Sequence, residues 1–266
     1  MLLNRYNFIV WGNTPPEPAD VSGLPVGSIG RVSSCVLLAP ADVLRVYINI
    51  PTGLNLPNLN VALVADNAAL TVVVPNFATL TQVDTPGLNA PQYYLNVVIP
   101  VGLGLREEYY RLRIGSAQVP YYSNRLWYNP GGFAGMSAIF SFRSVRDLAY
   151  IPYELPELAG FRQTLRLKCY AGNPQNDTTV ESYDGVTTGR TRTVSVKQKR
   201  YHSFTVENAD AFAEEGFSGM FAHKDLLING RPFALKTGFQ LANDSPGLAN
   251  GTFEVWESGF ALKTLC

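Results

Sequence analysis

Short hydrophobic runs separated by turn residues characterise the first half of the chain. In the segment 43–50, apolar Leu44, Val46 and Ile48 alternate with polar or amphipathic neighbours, and a turn signal begins at Pro51. This period of two is expected of a half-buried strand. The strand candidates of the first half are Arg5–Trp11, Arg31–Leu38, Val43–Ile50, Asn60–Val64, Ala69–Val74, Gln92–Ile99, Glu108–Ile114 and Val119–Trp127. Strands at this spacing with no helical pattern between them predict a β-sandwich or barrel.

A glycine-rich stretch near the middle of the chain predicts a domain boundary. Asn129 begins the run Asn-Pro-Gly-Gly-Phe-Ala-Gly, which cannot easily continue a strand. Composition also changes here, because all six lysines lie after this run. We therefore predict a first β-domain over residues 1–128, a linker over 129–136 and a second β-rich domain over 137–266.

The second half predicts further strands, one helix and one tight hairpin. Residues 190–206 predict one very long strand or two strands joined by a turn, and apolar residues on one face both before and after Gln198-Lys199 favour two strands. A short helix is predicted near 209–222, and Asn229-Gly230 is typical of a type I′ hairpin turn. The predicted fold class is all-β, with two sandwich-like or barrel-like domains and one short helix in the second.

Charged residues are scarce and evenly balanced. They form 16% of the chain, against about 25% in an average soluble domain. A surface poor in charge carries neutral polar and aromatic groups, as in proteins that pack against neighbours. The net charge is zero and no block of like charge occurs, so neither nucleic acid nor an anionic membrane is an expected partner.

The cysteines and the N-terminal sequence predict folding in the cytoplasm. Cys35, Cys169 and Cys266 are odd in number and far apart, which fits free thiols in a reducing compartment. The first residues lack the pattern of a secretion signal, and no apolar stretch approaches the roughly 18 residues that span a bilayer.

No motif for catalysis, cofactor binding or metal binding is evident. His202 and His223 are the two histidines, and neither has a second ligand at metal-binding spacing. Nucleophile elbows, phosphate-binding loops and dinucleotide fingerprints are absent from the sequence. The sequence therefore predicts a protein without catalytic residues, cofactor or metal.

A basic stretch and an aromatic cluster are the candidate contact surfaces. The basic stretch consists of Arg190, Arg192, Lys197, Lys199 and Arg200, with no acidic residue between Val186 and Val206. A nucleic-acid surface is one interpretation; a solvated strand face or an interface with acidic groups, such as Glu214 and Glu215 of another copy, is favoured. From the aromatic cluster the interface candidates are Tyr109, Tyr121, Tyr122 and Trp127. Because strand side chains alternate, about half of the cluster should be core and half available for contact.

Several segments resemble tail and baseplate-type proteins of bacteriophages and prophages. The resemblance lies in Tyr109-Tyr-Arg-Leu-Arg-Ile-Gly, Tyr121-Tyr-Ser-Asn-Arg-Leu, Phe140-Ser-Phe-Arg, Phe161-Arg-Gln-Thr-Leu-Arg-Leu and His223-Lys-Asp-Leu-Leu-Ile-Asn-Gly. It implies an Ig-like first domain and a non-enzymatic virion protein of the distal tail or an adaptor ring, made in the host cytoplasm. The implied partners are other copies of the chain and other tail proteins. The alternative is a cell-surface or secreted carbohydrate-binding adhesin that uses the tyrosines as a stacking platform.

Overall fold

The computed structural model describes residues 8–12, 36–49, 59–83, 92–115, 120–146, 151–184, 186–187, 189–209, 211–242 and 249–265. These residues are mostly strands, with one α-helix, so the predicted all-β class is confirmed. The predicted strand Arg5–Trp11 lies partly outside the described residues. Cys35 and Cys266 lie outside them.

Seventeen strands are present in the described segments. The barrel region contains β1 (Trp11–Gly12), β2 (Val36–Leu38), β3 (Val43–Asn49), β4 (Asn60–Ala65), β5 (Val72–Val83), β6 (Gln92–Val98), β7 (Glu108–Gly115), β8 (Pro120–Ser123) and β9 (Leu126–Tyr128). After it come β10 (Ser137–Arg143), β11 (Gln163–Lys168), β12 (Tyr170–Ala171), β13 (Gln175–Asp184), β14 (Thr191–Ala209), β15 (Asp225–Ile228), β16 (Arg231–Leu241) and β17 (Ala249–Leu265). Helix α1 spans Ala211–Phe221, and a short 3-10 turn spans Pro156–Leu158.

Eight strands close into a barrel. The ring runs β2–β9–β7–β4–β5–β6–β3–β11 and returns from β11 to β2. The β2–β9 pair is parallel and the other pairs in the ring are antiparallel. Strand β8 extends the barrel wall outside this ring by pairing with β7 and β1.

A second, antiparallel sheet continues from the same strand β11. Its order is β11–β10–β15–β16–β17–β14–β13, and the short β12 also pairs with β14. Helix α1 packs on this sheet, where the Phe217 ring stacks on Phe239 at 4.6 Å and lies 5.2 Å from Phe253. Because aromatic rings bury large areas, this cluster is a main source of hydrophobic stabilisation for the second sheet.

The predicted separation into two β-domains is corrected by strand β11. This strand follows the predicted linker in sequence, yet Thr164 pairs with Arg45 of β3 and Arg166 pairs with Leu37 of β2. One continuous hydrophobic core also contains buried residues from both halves. The physical reason is that, among the described residues, β2 and β3 do not pair with each other, so β11 supplies the backbone groups that close the barrel.

The predicted linker forms an ordered turn. The Asn129 side chain accepts a hydrogen bond from the Gly131 N–H at 2.8 Å, and Gly132 has a φ of 79°. Phe133 is buried against Leu37 and its ring lies 5.6 Å from the Trp127 ring. The glycines here permit left-handed backbone conformations within a packed turn.

An ion pair reinforces the contact between β11 and the barrel. Arg166 donates from Nε and Nη2 to the two oxygens of Asp42, both at 2.7 Å. Asp42 also accepts the Ala39 N–H at 2.8 Å, and the Arg166 Nη1 reaches the Ser137 hydroxyl at 2.9 Å. The side chains of Asp42 and Arg166 are only 7% and 18% exposed. Such a bidentate, largely buried pair fixes the geometry of the junction between the two sheets.

One favoured prediction for the second half is wrong, and one strand was missed. Residues 191–209 form the single strand β14, which is the long-strand alternative, so the favoured turn at Gln198-Lys199 does not occur. Strand β13 was not predicted at all, and its sequence, QNDTTVESYD, contains few apolar residues. The Asn229-Gly230 turn is confirmed, because both residues have positive φ angles and β15 pairs with β16 across it.

Candidate functional site

Three strands extend together beyond the core of the second sheet, and we call them the arm. The arm consists of β13, residues 191–201 of β14 and residues 261–265 of β17. In β17 it follows an irregular register, in which Tyr201 pairs with Trp256 but Lys199 pairs with Ala261. Gly259 lies in this interruption with a φ of 90°, a conformation that glycine adopts readily.

The arm is exposed and carries apolar side chains. Every residue of β13 is exposed. Val180 is 55% exposed, Tyr183 is 53% exposed and Val194 is 41% exposed, and Val186 in the connecting turn is also exposed. In contrast, Phe204, Val206 and Ala209 in the last part of β14 are buried in the core. Exposed apolar groups clustered on one projection are typical of a contact surface.

The basic stretch lies on the arm, and carboxylates of the same chain already neutralise part of it. Lys197 Nζ lies 2.8 Å from Glu181 Oε1 on β13. Arg200 Nη1 lies 3.8 Å from Glu257 Oε2 on β17. Glu181 and Glu257 thus supply, within one copy, acidic partners that the sequence analysis expected from another copy.

The remaining basic candidates differ in their surroundings. Arg190 is exposed just before β14. Lys199 is exposed and its Nζ lies 5.4 Å from the centre of the Trp256 ring. The Arg192 backbone pairs with Tyr183, and its side chain lies outside the described residues.

Glu214 and Glu215 are exposed on helix α1. They therefore lie outside the arm, on the rest of the described molecule, which we call the body. Both remain accessible for an intermolecular contact. Whether they meet the basic stretch of another copy stays a prediction.

The aromatic candidates alternate between core and surface as predicted. Tyr109 is 41% exposed, Tyr122 and Trp127 are half-buried, and the Tyr109 and Trp127 rings lie 6.0 Å apart. Tyr121 is 2% exposed within the core, so its proposed role as a contact residue is corrected. The reason is strand alternation, which turns Tyr121 inward and its neighbour Tyr122 outward.

A second aromatic surface lies at the base of the arm and was missed in the sequence. The Tyr201 and Trp256 rings lie 5.6 Å apart on neighbouring strands. Lys236 Nζ lies 3.3 Å from the centre of the Tyr201 ring, a cation–π contact. The Tyr201 hydroxyl donates a hydrogen bond to Gln175 on β13. The residues are far apart in sequence, so only the strand register between β14, β16 and β17 brings them together.

A cleft of about 510 Å³ near the base of the arm combines the residue types of a cysteine hydrolase. Its lining includes Cys169, His202 and Arg231, and His202 Nε2 lies 3.4 Å from Glu257 Oε2. A nucleophilic cysteine needs a thiolate stabilised by a nearby positive charge or base. Among the described residues, no hydrogen bond joins the Cys169 thiol to the His202 ring.

The environment of Cys169 suppresses its reactivity. The residue is 1% exposed, and burial raises the pKa of its thiol to about 12. At neutral pH the thiol is therefore protonated and a poor nucleophile. The arrangement is that of a buried core cysteine at the floor of a cleft.

A second buried titratable residue, His223, links helix α1 to the segment that follows β10. Its Nδ1 donates to the Gly219 carbonyl at 2.9 Å, and its Nε2 accepts a hydrogen bond from the Tyr153 hydroxyl at 2.9 Å. Burial lowers the pKa of His223, so the neutral ring fits this pair of contacts. The group has a structural role at the end of the helix.

The described residues contain no group of three or more side chains that could together bind a metal ion. In the same residues no helix has the length and apolar character needed to cross a membrane.

Comparison with protein-family models gives no match, and comparison with curated protein sequences also gives none.

Proposed function

We propose that the protein is a structural component that works in several copies, with the arm as its main contact surface. The observation that carries this proposal is the exposure of all ten residues of β13 on a strand that projects from the core. A solitary protein gains nothing in stability from exposed apolar side chains such as Val180 and Tyr183. A neighbouring copy would bury them and recover their hydrophobic free energy.

We further propose that the assembly belongs to the tail of a bacteriophage, at the distal tail, the baseplate or an adaptor ring. The resemblance of the Tyr109–Gly115 segment and the later hairpin to tail proteins supports this placement. Two structural features are compatible with it: a rigid body with an ion-paired junction, and an extended arm that can reach a neighbour. The partners would be further copies of the chain and other tail proteins.

We propose no catalytic function. A protonated, buried Cys169 and a His202 ring that faces Glu257 do not form a nucleophile–base pair. Iodoacetamide tests this directly: Cys169 should stay unmodified in the folded protein and react once the protein is unfolded in urea. Rapid modification of Cys169 in the folded protein at pH 7 would instead indicate an activated thiol and would support a catalytic function.

The assembly proposal is tested by mass photometry and sedimentation velocity across protein concentration. We expect species of defined copy number that increase with concentration, followed by rings or sleeves in images of the native particle. A purified protein that remains monomeric at high micromolar concentration, with no multi-copy feature in any particle, would contradict the proposal.

A second candidate function, glycan binding, is favoured by the aromatic surface of Tyr201 and Trp256. Sugar rings stack on aromatic side chains, and Lys199 and Lys236 add cations that suit an acidic glycan. A glycan array with the wild type and Trp256→Ala separates the two functions. Binding that depends on Trp256 supports the adhesin; no binding with intact self-association supports the structural role.

A further inference from the structure

One long edge of the arm is the outer side of β13. Among the described residues, β13 pairs with β14 and with no other strand. Alternate backbone N–H and C=O groups along its ten residues therefore point away from the sheet. An open edge of this length is a template for pairing with another strand.

The opposite edge of the arm is the distal part of β17. Residues 261–265 pair with β14, whereas the pairing of β17 with β16 ends at Glu257 in the described part of the chain. The sequence from Ser258 to Leu265 contains one lysine, no acidic residue and no proline. It therefore carries few of the charges and prolines that natural proteins use to block edge pairing.

We propose that β13 of one copy pairs with the distal part of β17 of the next copy, so that the arms form a continuous sheet between copies. This inference rests on the proposed multi-copy function and names the contact that produces it. The occupant of each edge is a second copy of this chain.

Charge disfavours the pairing of two β13 edges. The β13 edge contains Asp177, Glu181 and Asp184 and no basic residue. Pairing β13 with itself would bring the carboxylates of two copies onto neighbouring strands, and like charges across a strand pair destabilise a sheet. The sequence from Ser258 to Leu265 contains no acidic residue, so pairing β13 with distal β17 avoids this repulsion.

The strand directions give the symmetry of the contact. Strand β14 is antiparallel to both β13 and β17, so β13 and β17 run in the same direction within one arm. Copies related by rotation or translation along the sheet therefore join through a parallel pair. Because the two edges differ, the contact is head-to-tail, and it generates a closed ring or an open filament.

Proline substitutions test the contact because proline lacks the backbone N–H that a ladder needs. In β13, one of the adjacent residues Thr178 and Thr179 directs its N–H to β14 and the other directs it outward. We therefore compare Thr178→Pro and Thr179→Pro with the matched controls Thr178→Ala and Thr179→Ala. The outward-facing proline should keep the fold and weaken self-association at least tenfold in sedimentation equilibrium, and the alanine controls should associate as the wild type does.

A mixing experiment identifies the partner edge. Leu262→Pro and Lys263→Pro form the equivalent adjacent pair in β17. A β13-blocked and a β17-blocked variant should each be monomeric, but their mixture should give a 1:1 dimer that grows no further, because one intact edge of each type remains. Dimers formed by either variant alone would overturn the head-to-tail pairing.

Hydrogen exchange on the wild type supplies a test that needs no variant. On raising the concentration into the assembled range, amides in 175–184 and 258–265 should gain protection. Assembly without protection in these segments overturns the edge contact and leaves the multi-copy function standing. The same conclusion follows if the proline variants that fold in β13 and in β17 still associate as the wild type does. A wild type that never associates contradicts the multi-copy function itself.

Discussion

The junction at β11 and the arm both join strands with ion pairs, but in opposite environments. At the junction, Arg166 meets Asp42 in a bidentate pair whose carboxylate side chain is 7% exposed. On the arm, Lys197 meets Glu181, and their side chains are 49% and 54% exposed. Water therefore screens the arm pair strongly and the junction pair weakly.

This difference in solvent exposure gives the two ion pairs different contributions to stability. The junction pair must stay intact, because a single partner left behind would be a poorly solvated charge. The arm pair can break at little cost, because water solvates both groups. The body should thus depend on specific buried contacts, whereas the arm depends on its backbone ladder and on a neighbour.

The largest expected effect is at the junction. We expect Asp42→Ala to lower the free energy of unfolding by about 3–5 kcal/mol, because Arg166 loses its carboxylate and the Ala39 N–H loses its acceptor. Urea unfolding measures this value. The matched arm variant Lys197→Ala, which removes the cation and leaves Glu181 hydrogen-bonded to Ser195, should cost about 0–1 kcal/mol. Equal losses in the two variants would remove the contrast between junction and arm.

The next largest effect is expected at Gly216 of helix α1, where a change to alanine should destabilise the protein instead of stabilising the helix. A Cβ at Gly216 would lie 2.6 Å from the Phe8 ring, which is fully buried. Gly216→Ala should therefore lower the free energy of unfolding by about 1–3 kcal/mol, although alanine is the better helix former by about 1 kcal/mol. In a Phe8→Ala background the same change should be neutral or stabilising. A stabilising Gly216→Ala in the wild type would show that Phe8 does not pack on helix α1.

A smaller effect should appear as a pH dependence of the body. Burial lowers the pKa of folded His223 below its ordinary value of 6.5, so the unfolded chain binds this proton more readily. The contribution of His223 to stability is complete above pH 6.5 and is lost as pH falls from 6.5 towards the folded pKa. NMR titration of the ring should locate the lowered pKa, with His202→Gln used to assign the two histidine signals. A His223 ring that titrates at or above 6.5 in the folded protein would contradict this sign.

The smallest effect on stability is expected at the exposed residues of the arm. Val180→Ser and Tyr183→Ser should change the free energy of unfolding by no more than about 0.5 kcal/mol at low protein concentration. The same variants should weaken self-association, since they remove apolar area that a neighbour buries. Sedimentation velocity and urea unfolding on identical samples separate the two effects. A large loss of stability in the dilute protein would mean that these side chains support the fold of one copy.

Several features could be predicted from local sequence because their causes are local. The hairpin at Asn229-Gly230 follows from the need for positive φ angles, which these residues adopt readily. The exposure of Tyr109 and the burial of Tyr110 follow from strand alternation. Helix α1 was located to within a few residues, and its glycines weakened the pattern.

The features that the sequence analysis missed have no local sequence pattern. Strand β13 is exposed at every residue, so it has no alternation of apolar and polar positions to detect. The polar run around Gln198-Lys199 likewise lacks apolar positions, so a continuous strand resembles a turn there. The Tyr201–Trp256 surface depends on the register between strands more than fifty residues apart in the chain.

By itself, the sequence determined the all-β class, the positions of most strands and turns, and the division of the aromatic cluster between core and surface. The tertiary structure showed that Tyr121 is the inward-facing member of its pair. The tertiary structure decided that β11 closes the barrel, that one core serves both halves and that Gly216 must accommodate Phe8. The physical reason is that turn conformation and alternation depend on neighbouring residues. Strand pairing instead uses backbone groups that are the same in every residue, so only the packed chain selects the partners.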